Sequence, residues 1–186
     1  MICLYSCCFL FIIILSCKPD KAKKQVTDNV VPELISASGF PKNWIGCWKG
    51  NIKIDNLEKD TVIQIPMSLN ISTTERSGKW NWQLVYNDSP RDYELIAFDT
   101  PNGHFKLDEK NTIVLDQQLF DNVFISRYDV AGNLLMVTNR LIGKEMLFEV
   151  IFSRSDTVNT SGGKGEVPLV KSYPISVYQR AVLNKE

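Results

Sequence analysis

Phe40 to Gly50 read FPKNWIGCWKG and mark a change in the character of the chain. This stretch lies where a polar, charged segment ends and a series of strand-like segments begins. Gly46, Trp48 and Gly50 stand at the start of the first of these segments. Because side chains alternate along a strand, Cys47 and Trp48 are expected to point to opposite faces. The stretch therefore predicts the entry into a β domain that begins at about residue 40.

The chain after this stretch alternates between apolar and polar residues. Every second residue from Ile63 to Ile71 is apolar, and two further segments, 78–86 and 144–154, follow the same pattern. Such alternation is typical of a strand with one face in the core and the other in water. We predict about ten strands, near residues 47–54, 61–73, 78–86, 92–99, 103–108, 111–116, 122–129, 133–141, 144–154 and 174–183.

The connections between these strands contain the residues that favour turns, so the order is a simple series of hairpins. A closed up-and-down barrel leaves no strand edge unpaired. We therefore predict an all-β fold, a single antiparallel up-and-down barrel of about 8–10 strands preceded by a short helix over 32–38. A two-sheet sandwich is the alternative. Between Ser155 and Lys171 the alternation stops, which predicts disorder or a mobile hairpin.

Gly46-x-Trp48 resembles the signature that opens the first strand in the lipocalin-like barrels of the calycin superfamily. The resemblance implies a lipocalin-like domain over residues 40–186. In that family an arginine near the end of the chain commonly stacks on the signature tryptophan, and Arg180 is placed to do so with Trp48. Such a cation–π contact contributes about 0.5–2 kcal/mol and would join the last strand to the first. The pair is structural in the family and is not an active site.

The first 17 residues, MICLYSCCFLFIIILSC, carry no charge. A membrane-spanning helix needs about 20 apolar residues, so this segment suits a signal peptide, a retained anchor helix being the alternative. Its last four residues resemble a bacterial lipobox. The resemblance implies that residues 1–16 are removed and that Cys17 receives acyl chains of the palmitate type. Residues 17–39 would then be a lipid-anchored tether with a short helix, and the envelope, at the outer membrane, is the expected location.

The composition excludes several classes of function. Basic and acidic residues are equal at 21 each, so no excess of positive charge predicts nucleic-acid binding. The single histidine, His104, cannot form a multi-histidine metal site. It could serve as an axial haem ligand or, as the simpler interpretation, lie at the edge of a solvated turn. We found no catalytic motif and therefore expect a monomeric protein that is not an enzyme and needs no cofactor or metal. The one enzymatic alternative would bring Tyr93, Glu94 and Arg127 together.

Ligand binding is the remaining lead. A barrel of about eight strands is filled by its side chains or holds one small ligand. Arg127 and Arg140 lie in apolar strands and could bind a carboxylate, although either face of 122–129 could point inward. We predict a carrier of a small apolar molecule of the lipid or fatty-acid type, the alternative being a filled barrel that contacts a protein partner. The ligand-binding candidates are Trp80, Trp82, Tyr86, Tyr93, Arg127, Phe148 and Tyr178.

Overall fold

The computed structural model describes residues 39–186. Within this range the alternating segments of the sequence form β-strands. The ten long strands are β1 (Gly46–Asn56), β2 (Thr61–Thr73), β3 (Lys79–Tyr86), β4 (Ser89–Asp99), β5 (His104–Asp108), β6 (Val114–Phe120), β7 (Val123–Val130), β8 (Asn133–Ile142), β9 (Glu145–Arg154) and β12 (Ile175–Lys185). Two short strands, β10 (Asn159–Ser161) and β11 (Val170–Ser172), form a separate hairpin.

The ten long strands form one closed antiparallel barrel in which neighbours along the chain are neighbours in the sheet. Strand β12 completes the circle, since it pairs with β9 on one side and with β1 on the other. This is the predicted up-and-down barrel, and the sandwich alternative is wrong. Closure pairs every long strand on both sides, which removes the exposed edges of an open sheet.

The barrel has two unlike ends. We call the end where β1 begins the closed end. It also holds the turn before β1 and the turns after β2, β4, β6 and β8. The open end holds the turn after β1 and the turns after β3, β5 and β7. It also carries the β10–β11 hairpin, whose strands are exposed throughout. The segment 155–171 is therefore a hairpin and not a disordered loop.

Aromatic side chains fill the barrel at its closed end. Phe124 packs edge to face against four rings, those of Phe40, Trp44, Trp82 and Phe105, at centroid distances of 5.1–5.7 Å. Edge-to-face geometry suits aromatic rings because a positive ring edge meets a negative ring face. We call this cluster the aromatic plug; its members are Phe40, Trp44, Trp48, Trp80, Trp82, Phe105 and Phe124.

The signature tryptophan connects the plug to the closing strand. Trp48 is buried, and its indole N–H donates a hydrogen bond of 2.8 Å to the carbonyl oxygen of Trp44. The cation over its ring is Lys185, whose Nζ lies 5.1 Å from the ring centroid. The predicted Trp48–Arg180 pair is therefore wrong. Ala181 and Leu183 face the core, so Arg180 has the opposite parity and lies exposed on the outer face of β12.

Strand β6 begins three residues later than predicted, at Val114 instead of residue 111. The turn before it is extended by polar side chains. Asp108 Oδ1 accepts the backbone N–H of Lys110 at 2.8 Å, and Asn111 Oδ1 accepts that of Ile113 at 3.0 Å. These side-chain bonds compete with strand pairing, as Asp and Asn commonly do in turns. The predicted signal peptide, Cys17 and the helix over 32–38 lie outside the described residues.

The plug predicts an asymmetry between two phenylalanines that lie close together in sequence. Phe124 is fully buried, whereas Phe120 is 55% exposed on the outer face. We expect Phe124→Ala to lower the free energy of unfolding by about 3–5 kcal/mol because it leaves a cavity among packed rings. Phe120→Ala should change it by about 0.5 kcal/mol or less. Urea denaturation of both variants measures this, and equal losses would contradict the plug as the main source of stability.

Candidate functional site

Between the aromatic plug and the open end the barrel is hollow. The cavity has a volume of about 380 Å³. Most of its wall is apolar because the inward positions of the strands carry aliphatic and aromatic residues. Its lining consists of Ile54, Ile65, Leu84, Tyr86, Arg91, Tyr93, Leu107, Glu109, Leu115, Gln117, Ser126, Tyr128, Leu135, Val137, Phe148, Val150, Phe152 and Gln179.

Polar side chains surround the mouth of the cavity at the open end. The β3–β4 hairpin places Tyr86 and Arg91 on either side of its turn, and Tyr93 follows Arg91 on the same inward face. The guanidinium carbon of Arg91 lies 5.5 Å from the centre of the Tyr86 ring, as in a cation–π contact. Among residues 39–186, Arg91 has no carboxylate within ion-pair distance.

Three tyrosines of this region stay protonated well above neutral pH. Burial raises the pKa of Tyr86 most strongly, and the nearby Arg91 only partly offsets this effect. Burial is also the first cause of the raised pKa values of Tyr93 and Tyr128, and the negative charge of Glu109 raises both pKa values further. The mouth therefore presents one cation (Arg91), one carboxylate (Glu109) and neutral phenol groups that can donate or accept hydrogen bonds.

A second polar group lies at the inner end of the cavity: Gln117 and Ser126 line the wall, and Asn139 lies in the layer beneath, paired with Phe124. We call these three residues the polar floor. All three residues are buried, Gln117 to 3% and Asn139 to 2% exposure. Ser126 Oγ–H donates a 2.7 Å hydrogen bond to the carbonyl oxygen of Asp116. The oxygens Gln117 Oε1 and Asn139 Oδ1 have no hydrogen-bond partner among the described residues. A buried acceptor left in this state typically costs about 1–3 kcal/mol.

The structure separates the sequence-predicted ligand candidates into three groups. Tyr86, Tyr93 and Phe148 line the cavity. Trp80 and Trp82 belong to the closed-end core and do not line it. The other two candidates lie on the outer face: Arg127 is exposed, and the hydroxyl of Tyr178 donates to the carboxylate of Glu149. In β7 the inward face is thus the one that carries Ser126 and Tyr128.

The set proposed for catalysis is not brought together. Tyr93 faces the cavity, but Arg127 is exposed on the outer face of β7. Glu94 lies on the outer face of β4, where Arg76 and Lys79 form ion pairs with its carboxylate. The enzymatic alternative built on these residues is therefore wrong, as is carboxylate binding by Arg127. Arg140 shares the outward parity on β8 and binds Asn122 Oδ1 at 3.5 Å.

His104, the one histidine of the sequence, does not belong to the site. His104 lies on the outer face, with its Nε2 3.9 Å from a carboxylate oxygen of Asp116, and it does not line the cavity. No group of three or more His, Cys, Asp or Glu residues in this part of the chain is placed to hold a metal ion. The described residues also contain no helix with the length and apolar character needed to cross a membrane.

Sequence reasoning missed Arg91 and Gln117. Arg91 immediately follows Pro90, which suggested a turn, and the predicted strand began one residue later. Gln117 lies beyond the predicted end of its strand, at residue 116, whereas the strand continues to Phe120. The alternation of side chains could have identified Arg91, because it lies two residues before the cavity-lining Tyr93 and therefore on the same face of the strand.

The same fold occurs in solved structures of other proteins. A protein of unknown function from the DUF3598 family of Nostoc punctiforme aligns with a TM-score of 0.56 and 10% identity, covering 77% of this chain and 48% of that chain. An S-type phycobiliprotein lyase from Guillardia theta aligns with a TM-score of 0.50 and 9% identity, covering 77% of this chain and 89% of the lyase. The present chain thus spans about half the length of the Nostoc protein. Neither protein-family profiles nor curated proteins match the chain.

At these low identities the comparisons establish the fold alone. They agree with the lipocalin-like barrel expected from the Gly46-x-Trp48 signature, and the fold class is confirmed. The lipid anchor and the envelope location stay predictions. Since one of the similar proteins is a lyase by name, the expectation that this chain is not an enzyme also stays a prediction.

The raised tyrosine pKa values predict how stability depends on pH. The native state holds the Tyr86 proton more tightly than the unfolded state does, so the unfolded state loses that proton first, above about pH 10. The free energy of unfolding should therefore be constant with respect to this group below pH 10 and fall as the pH rises further. Tyr86→Phe should make the fall shallower. Tyr173→Phe, at an exposed tyrosine, is the control and should leave the slope unchanged in denaturation curves across that range.

Proposed function

We propose that this barrel binds one small, mainly apolar molecule with a polar head and thereby carries or sequesters it. The observation that supports this most directly is the cavity of about 380 Å³ between the aromatic plug and the open end. Binding pockets for small molecules are typically about 300–1,000 Å³, mainly apolar, with a few polar groups that fix orientation. A filled barrel, the alternative, would leave no cavity of this volume.

The size of the cavity limits the ligand. At about 30 Å³ for each non-hydrogen atom, as in liquid water, there is room for on the order of a dozen such atoms. This favours a medium-length acyl chain or a compact ring system over a long-chain lipid held entirely inside. A longer chain would extend through the open end toward the exposed β10–β11 hairpin.

The polar head is expected at the mouth. Arg91 lines the cavity there without an ion-pair partner among the described residues, and neutral Tyr86 and Tyr93 lie beside it. Guanidinium groups bind carboxylates through charge-assisted hydrogen bonds, which are about twice as strong as neutral ones. Arg91 thus takes the role that the sequence had suggested for Arg127. A fatty-acid carboxylate at Arg91 with its chain directed inward fits this arrangement.

The cell envelope is the proposed setting. The ILSC sequence ending at Cys17 supports lipidation there, and two or more acyl chains hold a protein stably on a membrane. The protein expressed in a bacterial host should incorporate an alkyne-labelled palmitate, and Cys17→Ser should abolish the labelling. Incorporation that persists in Cys17→Ser would contradict this site of attachment.

Native mass spectrometry of residues 39–186, expressed in bacteria and purified gently, tests the carrier function. We expect a bound species that is lost on denaturation, and its mass identifies the class of ligand. An apo mass that persists after incubation with decanoate and with fluorescent fatty acids would contradict ligand binding and direct attention to protein partners.

Two matched arginine variants test the orientation. Arg91→Leu should weaken binding of decanoate by about tenfold or more, because a charge-assisted hydrogen bond is lost, and should affect decanol much less. Arg127→Leu removes the same charge from the outer face of the barrel and should leave both affinities unchanged. Isothermal titration calorimetry measures the two affinities. An equal loss for decanoate and decanol in Arg91→Leu would place the carboxylate elsewhere.

A further inference from the structure

The polar floor lies opposite the mouth, on three consecutive strands. Gln118 pairs with Ile125 between β6 and β7, so the preceding Gln117 lies beside Ser126 on the inner face. Ser126 in turn pairs with Val137 on β8, and Asn139 is two residues further toward the closed end. Neighbours of this kind on one face of a sheet lie about 5–8 Å apart. The three side chains therefore form one polar area between the cavity and the aromatic plug.

This area has hydrogen-bonding capacity that the protein does not use. Gln117 lines the cavity, and its Oε1 is buried without a partner among the described residues; the same holds for the Oδ1 of Asn139 in the layer below. Ser126 donates its one hydroxyl hydrogen to the carbonyl oxygen of Asp116, so its own oxygen can only accept a further hydrogen bond. Both amides also carry an NH₂ group, so the inner end of an otherwise apolar cavity offers unpaired acceptors together with donors.

A plain hydrocarbon end cannot satisfy such a floor. A methyl group against Gln117 would keep the amide oxygen desolvated and unpaired, which is the costly state for a buried polar group. A hydroxyl group has one hydrogen to donate to Gln117. Its oxygen can also accept a hydrogen bond from the amide NH₂ of Gln117. An ordered water could fill the same role, but a ligand hydroxyl would do so without immobilising a separate molecule.

We infer that the cavity selects ligands that are polar at both ends: an anionic head at Arg91 and a hydroxyl group on the inner end of the apolar body, bound by Gln117. This inference rests on the proposed function and specifies its ligand as a hydroxylated acyl chain or a molecule of equivalent pattern. The polar floor would then distinguish hydroxylated ligands from plain ones, since a site with buried hydrogen-bonding groups rejects analogues that leave those groups unpaired.

Decanoate and ω-hydroxydecanoate form the test pair. Both have about the dozen non-hydrogen atoms for which the cavity has room. They share the carboxylate, so the contribution of Arg91 cancels in the ratio of their dissociation constants. We expect the protein to bind ω-hydroxydecanoate about three- to tenfold more tightly, which corresponds to one net hydrogen bond. Calorimetric titration of residues 39–186 with each compound gives the ratio.

Gln117→Leu should remove most of this preference because the hydroxyl then loses the amide of Gln117 as its partner. The variant should be no less stable than the parent, since it removes an unpaired buried acceptor. Gln64→Leu, the same change at an exposed position of β2, is the control and should keep the parent ratio. The ratio is measured within each variant and does not depend on equal yields of folded protein.

The outcomes separate the two proposals. Binding of neither compound contradicts the proposed function, and this inference falls with it. Binding of decanoate as tightly as or more tightly than ω-hydroxydecanoate leaves the carrier function in place and overturns the inference. A preference for ω-hydroxydecanoate that survives in Gln117→Leu would overturn the assignment to Gln117.

Discussion

Four aromatic rings pack around Phe124 and hold the closed end of the barrel together. This packing joins the turn before β1 to strands β3, β5 and β7, which come from different parts of the chain. A closed barrel of ten strands is too wide for its strand residues alone to fill at every level. By concentrating its largest side chains at one end, the protein obtains a dense core there and can leave the other end hollow.

This division also explains why the cavity tolerates polar groups. Hydrophobic stabilisation is supplied mainly by the closed end, where Trp44, Trp48 and Phe105 are removed from water. The open half can therefore contain the exposed Arg91 at the mouth and Gln117 at the inner wall, of which the buried Gln117 lowers stability when its amide oxygen has no partner. Natural proteins commonly accept such local costs where a ligand binds. The half of the barrel that contains the destabilising polar group is thus the half proposed to bind the ligand.

Much of the fold was predictable because alternation is a local property of the chain. The run from Ile63 to Ile71 identifies its own strand and its own inward face without knowledge of any neighbour. The site was less predictable because a cavity depends on which inward residues are at the same height in different strands. Trp82 and Tyr86 share a face of β3, yet the first is in the plug and the second lines the cavity. The predicted contact of Arg180 fails for a simpler reason, since Arg180 has the opposite parity to Leu183, which faces the core.

The pairing of β1 with β12 has a consequence for how the protein is made. Gly50 lies opposite Leu183, so the ring of strands cannot close before the last strand has been synthesised. Contacts so distant in sequence form slowly, because a long loop must be ordered before they can stabilise anything. In the meantime β1 and β9 each expose an unpaired edge that another chain could join. Until β12 is in place, these two edges are therefore the part of the barrel most open to pairing with another molecule.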